Sequence, residues 1–197
     1  MIHVLALSGS LRAASVNTAL LRACARLTPA DMNVTLFEAM EQIPLFNPDN
    51  EGHEAPAVLS LREALKNADA VIIASPEYAH GVTGVIKNAL DWIVGSGELE
   101  AKPLALLNAS KRPTHAPAAL RETLTIMGAH VLDSGSPTLS LSSNQVSEEQ
   151  ALAMPDITTA LKDMLSALAQ AIGARALECE PAEYPRPSSI TFDSPKR

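Results

Sequence analysis

The sequence predicts an α/β fold, a three-layer sandwich around a five-stranded parallel sheet in the order 2-1-3-4-5. Short apolar runs alternate five times with longer segments whose apolar residues recur every three or four positions, which is the spacing of a helix. Such alternation indicates a parallel sheet with helices on both faces, joined by right-handed crossovers. Five strands fit the order 2-1-3-4-5 better than the six-strand order of dinucleotide-binding folds.

The predicted strands are the short apolar runs. The run IHVLAL opens the chain, and AVIIA at residues 70–74 has no polar residue, as expected of a strand that is covered on both faces. In chain order, the five strands are predicted at residues 2–7, 34–37, 70–74, 104–107 and near 131–132.

The predicted helices follow the strands, and each carries an apolar stripe. In the first helix Leu20, Leu21, Cys24 and Leu27 recur at helical spacing. In chain order, helices are predicted at residues 17–27, 57–68, 83–94 and 116–127, and a last one begins after Pro155 within residues 147–172.

Two segments depart from this alternation. Residues 39–56 form a long connection, and connections of this length in compact domains tend to be lids or interface elements. Residues 178–197 contain four prolines and little apolar periodicity, which favours a flexible extension over an arm that lies on a neighbouring subunit. We therefore expect one domain at residues 1–173 and a proline-rich tail at residues 174–197.

Composition excludes several classes of function. The formal net charge is −7 and no basic patch is evident, which argues against a nucleic-acid partner. Cys24 and Cys179 are far apart and do not suggest a disulfide framework, and Cys24 is expected in the core. The sequence contains no CxxC motif or Cys/His cluster, so no metal site is expected.

The ends and the hydropathy of the chain predict a cytoplasmic protein. The N-terminal run lacks the basic region and the length of a signal peptide. No apolar stretch approaches the roughly 20 residues of a membrane-spanning helix, so no membrane partner is expected.

The loop after the first strand is the first of three unusual loops. Its sequence, SGSLRAASVNT at residues 8–18, places hydroxyl groups, an amide and Arg12 between a strand and a helix. Free N–H groups and the dipole at a helix N-terminus favour an anion, and an arginine adds a charged fork, so a terminal phosphate suits this loop. Part of the pattern is structural, because Ser15 or Asn17 can cap the helix.

Other phosphate motifs do not match this loop. It lacks the lysine and the glycine spacing of the P-loop. It also lacks G-x-G-x-x-G, because Gly9 stands alone, and this disfavours a dinucleotide-binding dehydrogenase. Glu38 ends the second strand, where such folds hold a ribose, but without the glycines it is more simply a solvated strand end.

The second loop, SPEYAHGVTG at residues 75–84, follows the third strand. Its proline, aromatic residue and glycines let the backbone approach a flat heterocycle closely, with Tyr78 at its border. His80 is a possible acid or base, although an exposed loop histidine has no special claim to that role. In the helix that follows, Lys87 and Asp91 form a routine i,i+4 pair, and Trp92 is expected in the core or an interface.

The third loop, NASKRPTH at residues 108–115, follows the fourth strand. In the order 2-1-3-4-5 the loops after strands 1, 3 and 4 lie side by side where ligands bind, so Ser110 can reach the same ligand from the other side. Lys111 and Arg112 either supply positive charge for a phosphorylated nicotinamide substrate or form a solvated turn.

The segments SGSLRAASVN and PEYAHGVTGVIKNALDW closely resemble the NADPH-dependent FMN reductase family, which has a flavodoxin-like fold. The resemblance spans about residues 2–172. It implies that Ser10, Arg12, Ser15 and Asn17 hold the FMN phosphate and that PEYAHG embraces the isoalloxazine ring. At the third loop Lys111 stands where the family commonly has proline. Taken together, the predicted cofactor-binding residues are Ser8, Ser10, Arg12, Ser15, Val16, Asn17, Thr18, Pro76, Glu77, Tyr78, Ala79, His80, Gly81, Asn108 and Ser110.

The resemblance also implies an activity. It predicts an enzyme that takes hydride from NADPH or NADH through bound FMN and passes it, in a ping-pong cycle, to quinones, azo compounds or similar small acceptors. It further implies a homodimer or homotetramer, and no catalytic side chain is required. Two alternatives stay open: a non-enzymatic electron carrier of the flavodoxin type, and a flavin-binding regulatory module. The low aromatic content of 3% favours an open flavin that admits substrates over a carrier.

Overall fold

A computed structural model of the chain describes residues 1–141, 143 and 145–178. Its strands, in chain order, are β1 (Ile2–Ser8), β2 (Met32–Leu36), β3 (Ala70–Ala74), β4 (Glu77–Tyr78), β5 (Gly81–Val82), β6 (Pro103–Leu107) and β7 (His130–Val131). Its helices are α1 (Val16–Leu27), α2 (Pro56–Asn67), α3 (Gly84–Ile93), α4 (His115–Ile126), α5 (Glu148–Leu152) and α6 (Pro155–Glu178), with short 3-10 helices at Met40–Gln42 and Pro48–Asn50.

The main sheet is parallel and has the order β2-β1-β3-β6-β7. Numbered among themselves, these strands have the order 2-1-3-4-5, so the predicted topology is confirmed. The strands β4 and β5 form a separate antiparallel hairpin directly after β3. Because β1, β3 and β6 are neighbours, the three unusual loops start from the same edge of the sheet.

Apolar layers cover both faces of the sheet, as the strand composition predicts. On β3, Val71 and Ile73 pack in the layer beneath α2, α3 and α4, while Ile72 packs in the layer that contains α1 and α6. Cys24 is fully buried in the second layer, and burial raises the pKa of its thiol to about 12. The core position predicted for Cys24 is therefore confirmed, and its thiol stays protonated near neutral pH.

Apart from the end of the last helix, the element boundaries differ from the predicted ones by at most two residues. The second strand begins at Met32 rather than at residue 34, and the fifth is His130–Val131 rather than 131–132. The helix α5 was not predicted, although Ser147 and Gln150 form the capping box that marks its start. The hairpin β4–β5 was expected as a loop, because two-residue strands are too short to show a periodicity.

Part of the C-terminal segment lies outside the residues that the structure describes. The last helix begins at Pro155, as predicted, and continues to Glu178, past the expected domain boundary at residue 173. Residues 179–197 of the predicted tail lie outside the described residues, so the tail stays a prediction. Within the described part of the chain, none of the helices combines the length and the hydropathy that crossing a membrane requires.

Candidate functional site

One cleft at the carboxyl edge of β1, β3 and β6 joins the three loops. It spans about 730 Å³ of space that is partly open to solvent. Its wall is formed by Ser10, Arg12, Ser15, Val16, Asn17, Ser75, Pro76, Glu77, Tyr78, Asn108, Ala109, Ser110 and Pro113. We call it the three-loop cleft.

Most of the predicted cofactor-binding residues line this cleft. Those that do not are Ser8, Thr18, Ala79, His80 and Gly81. Ser8 and Thr18 instead share a hydroxyl–hydroxyl hydrogen bond of 2.8 Å, which ties the end of β1 to the first turn of α1. Sequence reasoning missed Ser75, Ala109 and Pro113 as lining residues. Ala109 and Pro113 have no chemically distinctive side chain, and Ser75 directly follows the buried strand β3.

The first loop leads directly into the N-terminus of α1. Ser15 is the N-cap, and its hydroxyl accepts a hydrogen bond from the N–H of Thr18. The sequence left open whether Ser15 or Asn17 caps the helix, and the structure identifies Ser15 as the cap. Asn17 is 5% exposed, and its Oδ1 has no hydrogen-bond partner among the described residues. A buried amide group without a partner costs free energy, so a polar ligand in this cleft would stabilise Asn17.

Gly9 brings the first loop against the second. Its N–H donates to the carbonyl of Ala74 at 2.8 Å. A Cβ atom at residue 9 would overlap the Ser75 side chain and lie 2.9 Å from Cγ1 of Ile86. The single glycine of the first loop is therefore required by the close approach of two backbones, and not by a phosphate-binding turn.

The second loop is a hairpin with a two-residue turn. Ala79 and His80 have φ values of 50° and 60°, so both central residues are in the left-handed region, as in a type I′ turn. For residues other than glycine this conformation costs roughly 1–2 kcal/mol each. The cost indicates that the surrounding contacts hold the hairpin in place.

Glu77 supplies such a contact. Its Oε2 accepts a hydrogen bond of 2.7 Å from the N–H of Ala116 in the first turn of α4, and its Oε1 lies 3.7 Å from Nδ1 of His80. The His80 ring meets the His115 ring edge-on with centroids 4.3 Å apart. The hydrogen bond from Ala116, and the nearby histidines, hold the pKa of Glu77 below its ordinary value of 4.5. Glu77 therefore links the hairpin to α4.

We predict that replacing Glu77 by glutamine changes the pH dependence of stability. Because the folded protein lowers the pKa of Glu77, its carboxylate stabilises the fold above its ordinary pKa, and this contribution is lost as the pH falls through the folded-state pKa. Glu77→Gln should therefore lower stability at pH 7 and reduce the loss of stability between about pH 5 and about pH 3. Urea unfolding across this range measures both effects.

The control for this prediction is Glu63→Gln, which changes an exposed carboxylate on α2. Parallel pH profiles for wild type, Glu77→Gln and Glu63→Gln would contradict the role given to Glu77.

The third loop starts as an extension of the sheet. The N–H of Asn108 donates to the carbonyl of Pro137, and its own carbonyl accepts from Leu139, at 3.0 and 2.8 Å. The Oδ1 of Asn108 and the hydroxyl of Ser110 each accept a backbone N–H two residues further along the loop. Lys111 and Arg112 are exposed next to this turn. Asn108 and Ser110 both line the three-loop cleft.

Residues 2–143 match the family described as NADPH-dependent FMN reductase. The chain belongs to the NADPH-dependent FMN reductase family. It is 39% identical over 150 residues to an NAD(P)H-dependent FMN reductase of Pseudomonas aeruginosa. This alignment covers 73% of this chain and 80% of that protein. It is also 38% identical over 106 residues to a quinone reductase of Escherichia coli, where the alignment covers 53% of this chain and 55% of the relative.

Solved structures show the same fold. The flavoenzyme NAD(P)H:(acceptor) oxidoreductase FerB from Paracoccus denitrificans superimposes with a TM-score of 0.72 at 22% identity, covering 86% of this chain and 98% of the other. Membership of the FMN reductase family confirms the resemblance inferred from SGSLRAASVN and PEYAHGVTGVIKNALDW, and with it the expected FMN and NAD(P)H dependence.

Proposed function

We propose that this member of the FMN reductase family binds FMN in the three-loop cleft and uses NADPH or NADH to reduce quinones, azo compounds or similar small acceptors. The observation that carries the proposal is that one cleft joins the N-terminus of α1, the hairpin and the third loop. An elongated ligand with an anionic end and a flat end fits this arrangement.

The anionic end fits the residues at α1. The first N–H groups of a helix and its dipole attract an anion, and the exposed guanidinium of Arg12 adds charge in a protein whose net charge is −7. The buried Asn17 amide has both donors and an acceptor. A phosphate ester of a polyol offers partners for both, so Ser10, Arg12, Ser15 and Asn17 would hold the FMN phosphate and the adjoining ribityl chain.

The flat end fits the hairpin and the third loop. Pro76, Glu77 and Tyr78 of the hairpin segment and Asn108 and Ser110 of the third loop all line the cleft. The Glu77 carboxylate is occupied by the Ala116 N–H, so backbone groups of the hairpin are left to meet the edge of the ring. Tyr78 lines the cleft with a side chain that is 63% exposed, and in the proposal this open border leaves room for a substrate beside the flavin.

These contacts give separate roles to the cofactor and to the side chains of the protein. The chemistry that a bound FMN supplies is the exchange of two electrons between a reduced nicotinamide and an oxidant. The side chains of this chain orient the ring and offset the phosphate charge, and no nucleophile or metal is needed. The open cleft favours a reductase over a flavodoxin-type carrier, which would enclose its flavin.

A visible spectrum tests the proposal. The purified protein is mixed with FMN, desalted, and then treated with NADPH or NADH without oxygen. We expect retained flavin absorbance that bleaches promptly with the nicotinamide. Retained flavin that stays oxidised would support the carrier or the regulatory module, and the absence of retained flavin would overturn the assignment of the three-loop cleft.

The proposal includes a cytoplasmic homodimer or homotetramer. The connection at residues 39–56 is anchored to α3, because Asn88 bonds both Phe46 and Pro44, yet Leu45 between them is 85% exposed. Within the proposal, Leu45 is the apolar side chain that this anchored connection offers to a neighbouring subunit. Light scattering after gel filtration of the wild type and Leu45→Glu tests this, with a shift towards monomer expected for the variant.

A further inference from the structure

A second cleft lies on the other side of the first loop, between that loop and the end of β2. It spans about 590 Å³ of space that is partly open to solvent, and it shares Ser10 and Arg12 with the three-loop cleft. Ser10 and Arg12 of the first loop therefore lie in the walls of both clefts. We call the second one the β2-side cleft.

The β2-side cleft carries charges of both signs. Arg22 on α1 and Glu38 just after β2 both line it, and Nη2 of Arg22 lies 3.8 Å from Oε1 of Glu38. Their side chains are 50% and 73% exposed, so this pair contributes little to stability, and each partner is free to turn towards a ligand. Arg12 and Glu41 add one further charge of each sign, and Phe37 forms part of an apolar wall.

The position of Glu38 has a physical counterpart in dinucleotide-binding sheets. In those sheets an acidic residue accepts hydrogen bonds from the ribose hydroxyls of NAD, while a nearby arginine accommodates the 2′-phosphate of NADP. The sequence, which lacks the glycine motif, favoured a solvated strand end for Glu38. The Glu38 side chain is solvated, at 73% exposed, and it also lines a cleft, beside an arginine and next to the proposed flavin site.

We propose that the β2-side cleft binds the adenosine half of the nicotinamide dinucleotide. Glu38 accepts hydrogen bonds from the ribose hydroxyls, and Arg22 faces the 2′-substituent. The inference rests on the proposed function, because the nicotinamide ring must reach the three-loop cleft. It makes Glu38 and Arg22 the residues that set the choice between NADH and NADPH: the carboxylate favours a free 2′-hydroxyl and the guanidinium favours a 2′-phosphate.

The test measures binding without turnover. Adenosine 5′-diphosphate and adenosine 2′,5′-bisphosphate are titrated by calorimetry into the full chain with FMN present. Glu38→Gln should weaken binding of the 5′-diphosphate about tenfold, the effect of losing one charge-assisted hydrogen bond, and should strengthen binding of the 2′,5′-bisphosphate. Arg22→Gln should weaken binding of the 2′,5′-bisphosphate by a similar factor. Glu63→Gln, an exposed charge change on α2, is the control and should change neither affinity.

The sequence offered Lys111 and Arg112 as another source of positive charge for a phosphorylated nicotinamide. If the doubly substituted Lys111→Gln, Arg112→Gln protein loses affinity for the 2′,5′-bisphosphate while Arg22→Gln does not, the adenosine lies at the third loop and the inference is wrong. Unchanged affinities for both nucleotides in Glu38→Gln and Arg22→Gln would also overturn it. Bleaching of bound FMN by NADPH tests the proposed function separately, so either proposal can fail alone.

Discussion

Replacing Arg12 by alanine should weaken FMN binding about 10- to 100-fold, the range expected when charge-assisted hydrogen bonds worth roughly 1.5–3 kcal/mol are lost. Arg12 is the one cationic side chain that lines the three-loop cleft, within the part of the chain that the structure describes. Helix N–H groups and hydroxyls still face the phosphate in the variant, so binding should be weakened and not abolished. Fluorescence quenching of FMN measures the dissociation constant directly.

Two further variants make this result specific. Arg12→Lys keeps the charge but lacks the two-pronged guanidinium, and it should bind FMN with an affinity between those of wild type and Arg12→Ala. Arg175→Ala removes an exposed arginine from α6, far along the chain from the first loop, and should bind FMN normally. If Arg12→Ala retained flavin through dialysis as well as wild type does, the phosphate would have to lie elsewhere.

The sequence predicted the sheet because the pattern that encodes it is repeated and long. The all-apolar β3 and the amphipathic α1 each bury one continuous set of side chains, and periodicity reports burial directly. The three loops could be brought together from sequence because the strand order determines which loops are neighbours. The side chains that face the three-loop cleft follow from this order and from local composition.

Other features depend on contacts between distant residues, which periodicity does not report. The Glu77 carboxylate caps α4 from across 39 positions of sequence, and nothing local to PEYAHG indicates that partner. Lys102 is 7% exposed and donates to the carbonyl of Ala68, a buried ammonium that composition would have placed at the surface. Burial holds the pKa of Lys102 below its ordinary value.

The motif VIKNALDW shows both what the sequence predicts and what it does not. The sequence predicted a Lys87–Asp91 pair and a buried Trp92, and both are confirmed, with an Nζ–Oδ1 distance of 2.5 Å and a side chain that is 1% exposed. The residues that contact Trp92, Pro44 and Phe46, could not be predicted from the sequence, because they belong to residues 39–56, where no periodicity exists. Much of this motif therefore serves to attach that connection to α3, and not to contact a ligand.

Trp92→Ala should be the most destabilising of the substitutions considered, with a loss of about 3–5 kcal/mol in the free energy of unfolding. The side chain is almost fully buried, its Nε1–H donates to the carbonyl of Pro44 at 2.8 Å, and its ring meets Phe46 edge-on with centroids 5.1 Å apart. Truncation leaves a cavity and removes both contacts with the connection. Since small domains are stable by only about 5–15 kcal/mol, urea unfolding should show a large fall in midpoint.

Trp92→Phe separates the contribution of the buried ring from that of the Nε1–H hydrogen bond. It keeps most of the buried volume and the edge-on contact with Phe46, and it removes only the Nε1–H donor. The carbonyl of Pro44 still accepts from Nδ2 of Asn88 at 2.9 Å, so the loss should be about 1 kcal/mol, the net value of one hydrogen bond. FMN affinity should stay at the wild-type value, because Trp92 does not line the three-loop cleft. A variant with normal stability and weakened FMN binding would instead place Trp92 at the flavin and contradict its role in anchoring the connection.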